Sequence, residues 1–130
     1  MCWTASEYGM RMTLSRDVPQ LLGGGLRQAV TDLYGRAGLS VHEEHGRSLV
    51  AVHPGGPKVI DQVRDLLELS DEQVEHSRAV LRDYGNMSSA TLPHVWQRMC
   101  DDRKVTSGTL VLSLAFGPGL TIAGGLFRKL

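Results

Sequence analysis

Five histidines and two cysteines are the side chains of this 130-residue sequence best suited to proton transfer, nucleophilic attack or metal binding, and their surroundings tell them apart. His53 follows the apolar run Ser48-Leu49-Val50-Ala51-Val52 and precedes Pro54-Gly55-Gly56-Pro57. The run reads as a buried strand, and Pro57 suits the first turn of a helix. That places an imidazole at the carboxyl end of a strand beside a helix N-terminus, where open α/β sheets hold ligands and do chemistry. Asn86, within Tyr84-Gly85-Asn86-Met87-Ser88-Ser89-Ala90, stands at a second helix start, and plain capping, worth about 1 kcal/mol, accounts for it. The glycines of Phe116-Gly117-Pro118-Gly119 let a backbone approach a ligand or adopt positive φ, two uses that composition does not separate.

The other reactive residues lack a constellation. His42 and His45 are three apart in the charged run His42-Glu43-Glu44-His45-Gly46-Arg47, but no further ligands follow at metal-site spacing, so this reads as a solvated loop and no metal is expected. Gly23-Gly24-Gly25 lacks the spaced glycines and preceding buried strand of a phosphate loop. Cys2 and Cys100 form neither a disulfide-like nor a metal-like spacing. Asp101 and Asp102 beside Cys100 disfavour its thiolate, so both thiols are taken as structural.

The elements that must position His53 and Asn86 follow from periodicity. Residues 10–14 alternate apolar and polar as a half-buried strand, and Leu22, Leu26, Ala29, Val30, Leu33 and Tyr34 recur at helical spacing toward a stop near Gly35 or Gly38. After Pro57, the residues Val59, Ile60, Val63, Leu66 and Leu67 make a helix with one apolar face. Ser70-Asp71-Glu72-Gln73 is a capping box opening a helix with Val74, Leu81 and Tyr84 on its inner face. A further helix opens at Met87-Ser88-Ser89-Ala90, and core packing is expected for Met87, Trp96 and Met99. Two strands, residues 109–115 and 120–127, close the chain. Strand, helix, strand, helices, strand, strand argues an α/β fold, a mixed sheet covered by helices.

Composition limits the function classes. One domain of ordinary globular make-up is expected from 42% hydrophobic and 22% charged residues. Fourteen basic residues balance fourteen acidic ones, with no basic stripe, which argues against nucleic acid as a partner. The apolar runs are too short to span a bilayer, so no membrane partner is expected, and the cysteine usage suits a reducing, cytoplasmic compartment.

The motifs at His53 to Pro57, Tyr84 to Ala90 and Phe116 to Ile122 together resemble the type III polyketide synthases, the chalcone and stilbene synthase-like family. The resemblance extends from about Trp3 to the end. It implies that residues 1–130 form the C-terminal half of a thiolase-like subunit, whose other half carries the family's nucleophilic cysteine and is missing from this sequence. It further implies an acyltransferase that condenses an acyl-CoA starter with malonyl-CoA by decarboxylative Claisen chemistry, as a homodimer and with no cofactor beyond its CoA thioester substrates. Of the family's catalytic cysteine, histidine and asparagine, the last two match His53 and Asn86. An imidazole N–H and an amide N–H suit an oxyanion hole for the enolate formed from malonyl-CoA. Gly55, Gly56, Lys58, Ser88, Phe116, Gly117, Pro118 and Gly119 are the expected substrate-binding residues, and the chain alone is expected to be inactive.

Three positions depart from the family pattern. Ala115 replaces the first glycine of the glycine-rich loop, Met12 replaces a cavity-gating phenylalanine of many plant members, and Lys58 stands where alanine is common and would meet a CoA phosphate or solvent. Ketoacyl-ACP synthase III shares the fold, but its His-Gln-Ala-Asn run differs from His53-Pro54-Gly55-Gly56. A truncated interaction module without chemistry of its own is the remaining reading.

Overall fold

A computed structural model describes residues 2–7, 9–13, 18–117 and 121–130. Strands β1 (Cys2–Ser6) and β2 (Gly9–Thr13) form a separate antiparallel hairpin, of which only β2 was expected. The main sheet has the order β3 (Leu49–Val52), β4 (Leu110–Gly117), β5 (Thr121–Arg128). β3 runs parallel to β4, and β5 returns antiparallel, so the sheet is mixed as its alternating element order requires.

Helices cover both faces. On one face, Leu26, Val30 and Tyr34 of α1 (Val18–Arg36) and Ile60, Val63 and Leu67 of α3 (Pro57–Leu67) bury against Val50, Val52, Leu110, Leu112 and Leu114. On the other face, Val95 and Met99 of α5 (Thr91–Asp101) pack with Ala51 and Val111. α4 (Asp71–Tyr84) joins both cores, Val74 in the first and Val80 in the second. It also closes the open edge of β3: the Val52 N–H donates to the buried Ser77 hydroxyl at 2.9 Å. A bare edge strand is a template for unwanted pairing, and here the edge is paired within the chain.

Local signals explain the helix ends. Pro57 occupies the first turn of α3, where its missing N–H costs nothing. Ser70 and Gln73 form both bonds of the capping box at the start of α4. α3 ends on Glu68 in the left-handed conformation, φ 55°.

Several expectations are corrected. Residues 42–47 are not a loop: Val41–Glu44 forms the short helix α2, and His45–Arg47 a 3-10 turn. Tyr84 is 59% exposed and Trp96 38% exposed, so neither is core. Tyr84 lies at the last turn of α4 and packs its ring on His94 instead. The helix expected to open at Met87, α5, begins only at Thr91, after a 3-10 turn at Ser88–Ala90. Leu110, Leu112 and Leu114 are buried beneath α1 and α3, and Ile122 is half-buried against the same core.

Candidate functional site

His53 is the first residue after β3, and its N–H donates to the Leu114 carbonyl at 2.8 Å, extending the parallel pairing by one residue. The chain then turns sharply through the buried Pro54, with the Gly55 N–H returning to the His53 carbonyl at 2.9 Å. The imidazole lies against Gly55. A Cβ on that glycine would stand 3.8 Å from His53 Cδ2, 3.9 Å from Nε2 and 3.8 Å from Val59 Cγ2. Burial holds the His53 pKa below the ordinary histidine value. The ring is therefore neutral near pH 7, with one nitrogen donating and the other accepting.

Asn86 reaches the same turn from the loop that follows α4. Its amide Nδ2 donates to the Gly55 carbonyl at 3.2 Å, and its Oδ1 accepts from the Ser88 N–H at 2.9 Å. The second bond is an Asx turn, so Asn86 nucleates the 3-10 turn and does not cap α5 directly. Ser88 is held at φ 58°, in the left-handed region that a serine seldom occupies.

Sequence reasoning missed Thr91, which fixes this loop from below. It is fully buried, accepts from the Met87 N–H at 2.8 Å and donates to the Ser88 carbonyl at 2.9 Å. Asn86 Oδ1 is farther from the same hydroxyl, at 3.5 Å. Thr91 thus organises the backbone on both sides of the Asx turn. The available signal was a β-branched hydroxyl shortly after Asn86, a pattern too common to single out.

The other expected site residues divide. Gly55 sits between His53 and Val59, and Gly56 is extended with open space where a Cβ would lie. Ser88 is exposed beside Asn86. Phe116 is half-buried against the α1 and α3 core, paired in register with Ile122, and Gly117 pairs with Thr121. Lys58 is separated from the His53 turn by Pro57 and shares an open surface depression with Asp61, Gln62, Asp65 and Leu66. Pro118 and Gly119 lie outside the described residues, as do Leu14 and the side chain of Met12. Cys100 is exposed near the end of α5 and lines a cavity away from this site. Among the described residues, no three His, Cys, Asp or Glu side chains cluster to hold a metal ion, and no helix is long and apolar enough to cross a membrane.

The arrangement brings a neutral imidazole and a carboxamide to one glycine, the ring beside its Cα and the amide on its carbonyl. The Asn86 amide keeps a second N–H beyond the one given to Gly55. Two neutral donors on a stiff turn can stabilise negative charge developing on a ligand oxygen.

Comparison with known proteins gives one consistent result. The family model for chalcone and stilbene synthases, C-terminal domain, matches residues 3–130. Type III polyketide synthase B of Arabidopsis thaliana is 36% identical, over 96% of this chain and 33% of its own length. Type III polyketide synthase A of the same plant is 38% identical, over 96% of this chain and 32% of its own. A rice relative, type III polyketide synthase 21, is 35% identical over 95% of this chain. The chain spans about a third of the length of the curated relatives it matches.

Proposed function

Because the chain belongs to the family of chalcone and stilbene synthase C-terminal domains, we propose that it serves as that domain of a type III polyketide synthase, with His53 and Asn86 as the oxyanion hole. Residues 1–130 are one domain in this reading, working with a half that supplies the nucleophilic cysteine. The starter acyl group would pass from CoA to that cysteine, forming a new thioester and releasing the CoA thiol. Malonyl-CoA would then lose carbon dioxide. The electron pair of the broken C–C bond moves onto the thioester carbonyl oxygen, and the enolate carbon attacks the acyl-cysteine, expelling the thiolate.

Each residue has a defined task in these steps. The N–H of the neutral His53 and the spare N–H of Asn86 bond the enolate oxygen, where charge grows in the transition state. The accepting nitrogen of His53 can take the cysteine proton, and the resulting imidazolium favours the thiolate. Gly55 and Gly56 keep the approach free of side chains. Acyl-CoA and malonyl-CoA are the substrates, a homodimer is the working assembly, and the chain by itself makes no polyketide because the acyl carrier thiol is not one of its two.

The observation that supports this most directly is the bond from Asn86 to the Gly55 carbonyl, on the glycine that the His53 ring lies against. Joining this chain to the cysteine-bearing N-terminal half of a type III polyketide synthase tests the reading. Malonyl-CoA decarboxylation by the joined protein should fall on the order of a hundredfold in His53→Ala and in Asn86→Ala, the size expected for one oxyanion-hole donor. Unchanged rates in both variants would remove the assignment.

A further inference from the structure

At the opposite end of β4 from His53, between α5 and the last residues of β5, lies a cavity of about 210 Å3. Trp96, Met99, Cys100, Val105, Val111 and Phe127 form its wall. Its two large aromatics are fixed although they are 38% and 51% exposed. The Trp96 indole N–H donates to the hydroxyl of buried Ser113 at 2.9 Å, and the Phe127 ring lies so close over Gly125 that a Cβ there would stand 3.1 Å from it. The two rings meet at a centroid distance of 5.7 Å, tilted by 52°. The concavity is therefore preformed, and its wall is almost wholly apolar, as the walls of small-molecule sites are.

Size and charge define the occupant. A dry cavity of about 150 Å3 with aliphatic and aromatic walls takes up benzene, so this larger one admits a single ring bearing a substituent. The charged residues at its wall are both cationic, Arg128 and Lys129. Lys129 Nζ donates to the carbonyls of Met99 at 3.2 Å and Asp102 at 2.8 Å, which uses two of its three N–H groups. The nearby Asp102 carboxylate is itself occupied by His76 Nε2 at 3.1 Å and the Lys104 N–H at 2.9 Å. We propose that this cavity binds a small aromatic carboxylate, its ring against the wall that Trp96 and Phe127 form together and its carboxylate at Lys129. The site is separate from the His53 turn and does not depend on the polyketide synthase reading.

The 130-residue chain with 4-ethylbenzoate and its uncharged isostere 4-ethylbenzamide provides the test. Alkylation of Cys100 by iodoacetamide, read by peptide mass spectrometry, should slow at least fivefold with 4-ethylbenzoate, while Cys2 on the separate hairpin changes less than twofold. The amide should protect several-fold more weakly at equal concentration. Cys100→Phe, which fills the cavity from an exposed position, should abolish ligand binding seen by saturation-transfer NMR while circular dichroism stays native. Equal protection by the amide would overturn the carboxylate assignment. Absence of protection, binding that persists in Cys100→Phe, or protection that follows protein concentration without ligand and so reports a second copy on this face, would overturn the site.

Discussion

The side-chain amide of Asn86 donates to the main-chain carbonyl of Gly55 across 31 residues of sequence, tying the loop before α5 to the turn after β3. This bond and the Asx bond to the Ser88 N–H use the two ends of the same carboxamide. Asn86→Asp keeps the acceptor and loses the donor, whereas Asn86→Ala loses both. Asp should therefore cost less stability than Ala, with Ala near 1–2 kcal/mol in urea denaturation. Both should be impaired in decarboxylation within a joined enzyme, Asp at least as much as Ala, because the proposed oxyanion hole uses the amide donor and a carboxylate there would repel the enolate. An Asp variant that retains full activity would show that the amide N–H is not used.

His53 predicts a pH dependence of stability. Its pKa is lowered in the folded chain by burial, from an unfolded value of about 6.5. As pH falls below that value, the unfolded state takes up a proton that the folded state resists, so stability is full above about pH 6.5 and lost on acidification toward the folded pKa. His53→Gln has no such component. The drop in urea midpoint between pH 7.5 and pH 5.5 should be larger for the native sequence than for the variant; equal drops would mean the ring titrates as if in water.

The helix on β5 packs through glycine. A Cβ on Gly124 would stand 2.7 Å from Leu33 Cδ1 of α1 and 3.2 Å from the Ser113 carbonyl, while one on Gly24 within α1 meets nothing. Gly124→Ala should destabilise by roughly 1–3 kcal/mol through overpacking. Gly24→Ala should stabilise by roughly 0.5–1 kcal/mol through helix propensity. Thermal melts of the two variants should move in opposite directions.

Two opposing effects meet at Glu68. Its left-handed backbone at φ 55° costs about 1 kcal/mol, and its ion pair with Arg27 at 2.9 Å joins two exposed side chains. Such exposed pairs contribute at most about 1 kcal/mol and often nothing. Relief of the backbone should win. Glu68→Gly is expected to raise the melting temperature slightly, and Glu68→Ala, which breaks the pair and keeps the strain, to lower it. A melting temperature for the Gly variant below that of Ala would reverse the ranking.

What could be read from the sequence was local. The capping box at Ser70, Pro57 at the start of α3 and the strand ending at His53 depend on neighbours within a few residues, and periodicity places them. What escaped depends on the third dimension. Trp96 shares helical spacing with Val95 and Met99, but α5 covers β3 and β4 while the adjoining face of β5 carries only Ala123 and Gly125 before Phe127, so its indole overhangs the sheet. Tyr84 falls at the end of α4, past the core. The four residues of α2 are too few to show a period. The positions of His53 and Asn86 followed from local motifs and from resemblance, whereas the Asn86 bond to Gly55 and the Thr91 support beneath it join segments that periodicity does not relate.

Ser77 closes the edge of β3, and its removal should be felt at the candidate site. The Val52 N–H points away from β4, as the opposite orientation of the His53 N–H toward Leu114 requires, and the Ser77 hydroxyl is its partner. Ser77 is fully buried, so Ser77→Ala leaves an N–H without water or partner and should cost about 1–3 kcal/mol. The loss would fall on the last residue of the strand that carries His53. Amide exchange at Val52 should therefore accelerate more than exchange at Val63 in the middle of α3, and decarboxylation by a joined enzyme should weaken without any change at His53 itself. If exchange rose equally at both amides, the hydroxyl would be stabilising the fold as a whole, and the link from α4 through β3 to the imidazole would not hold.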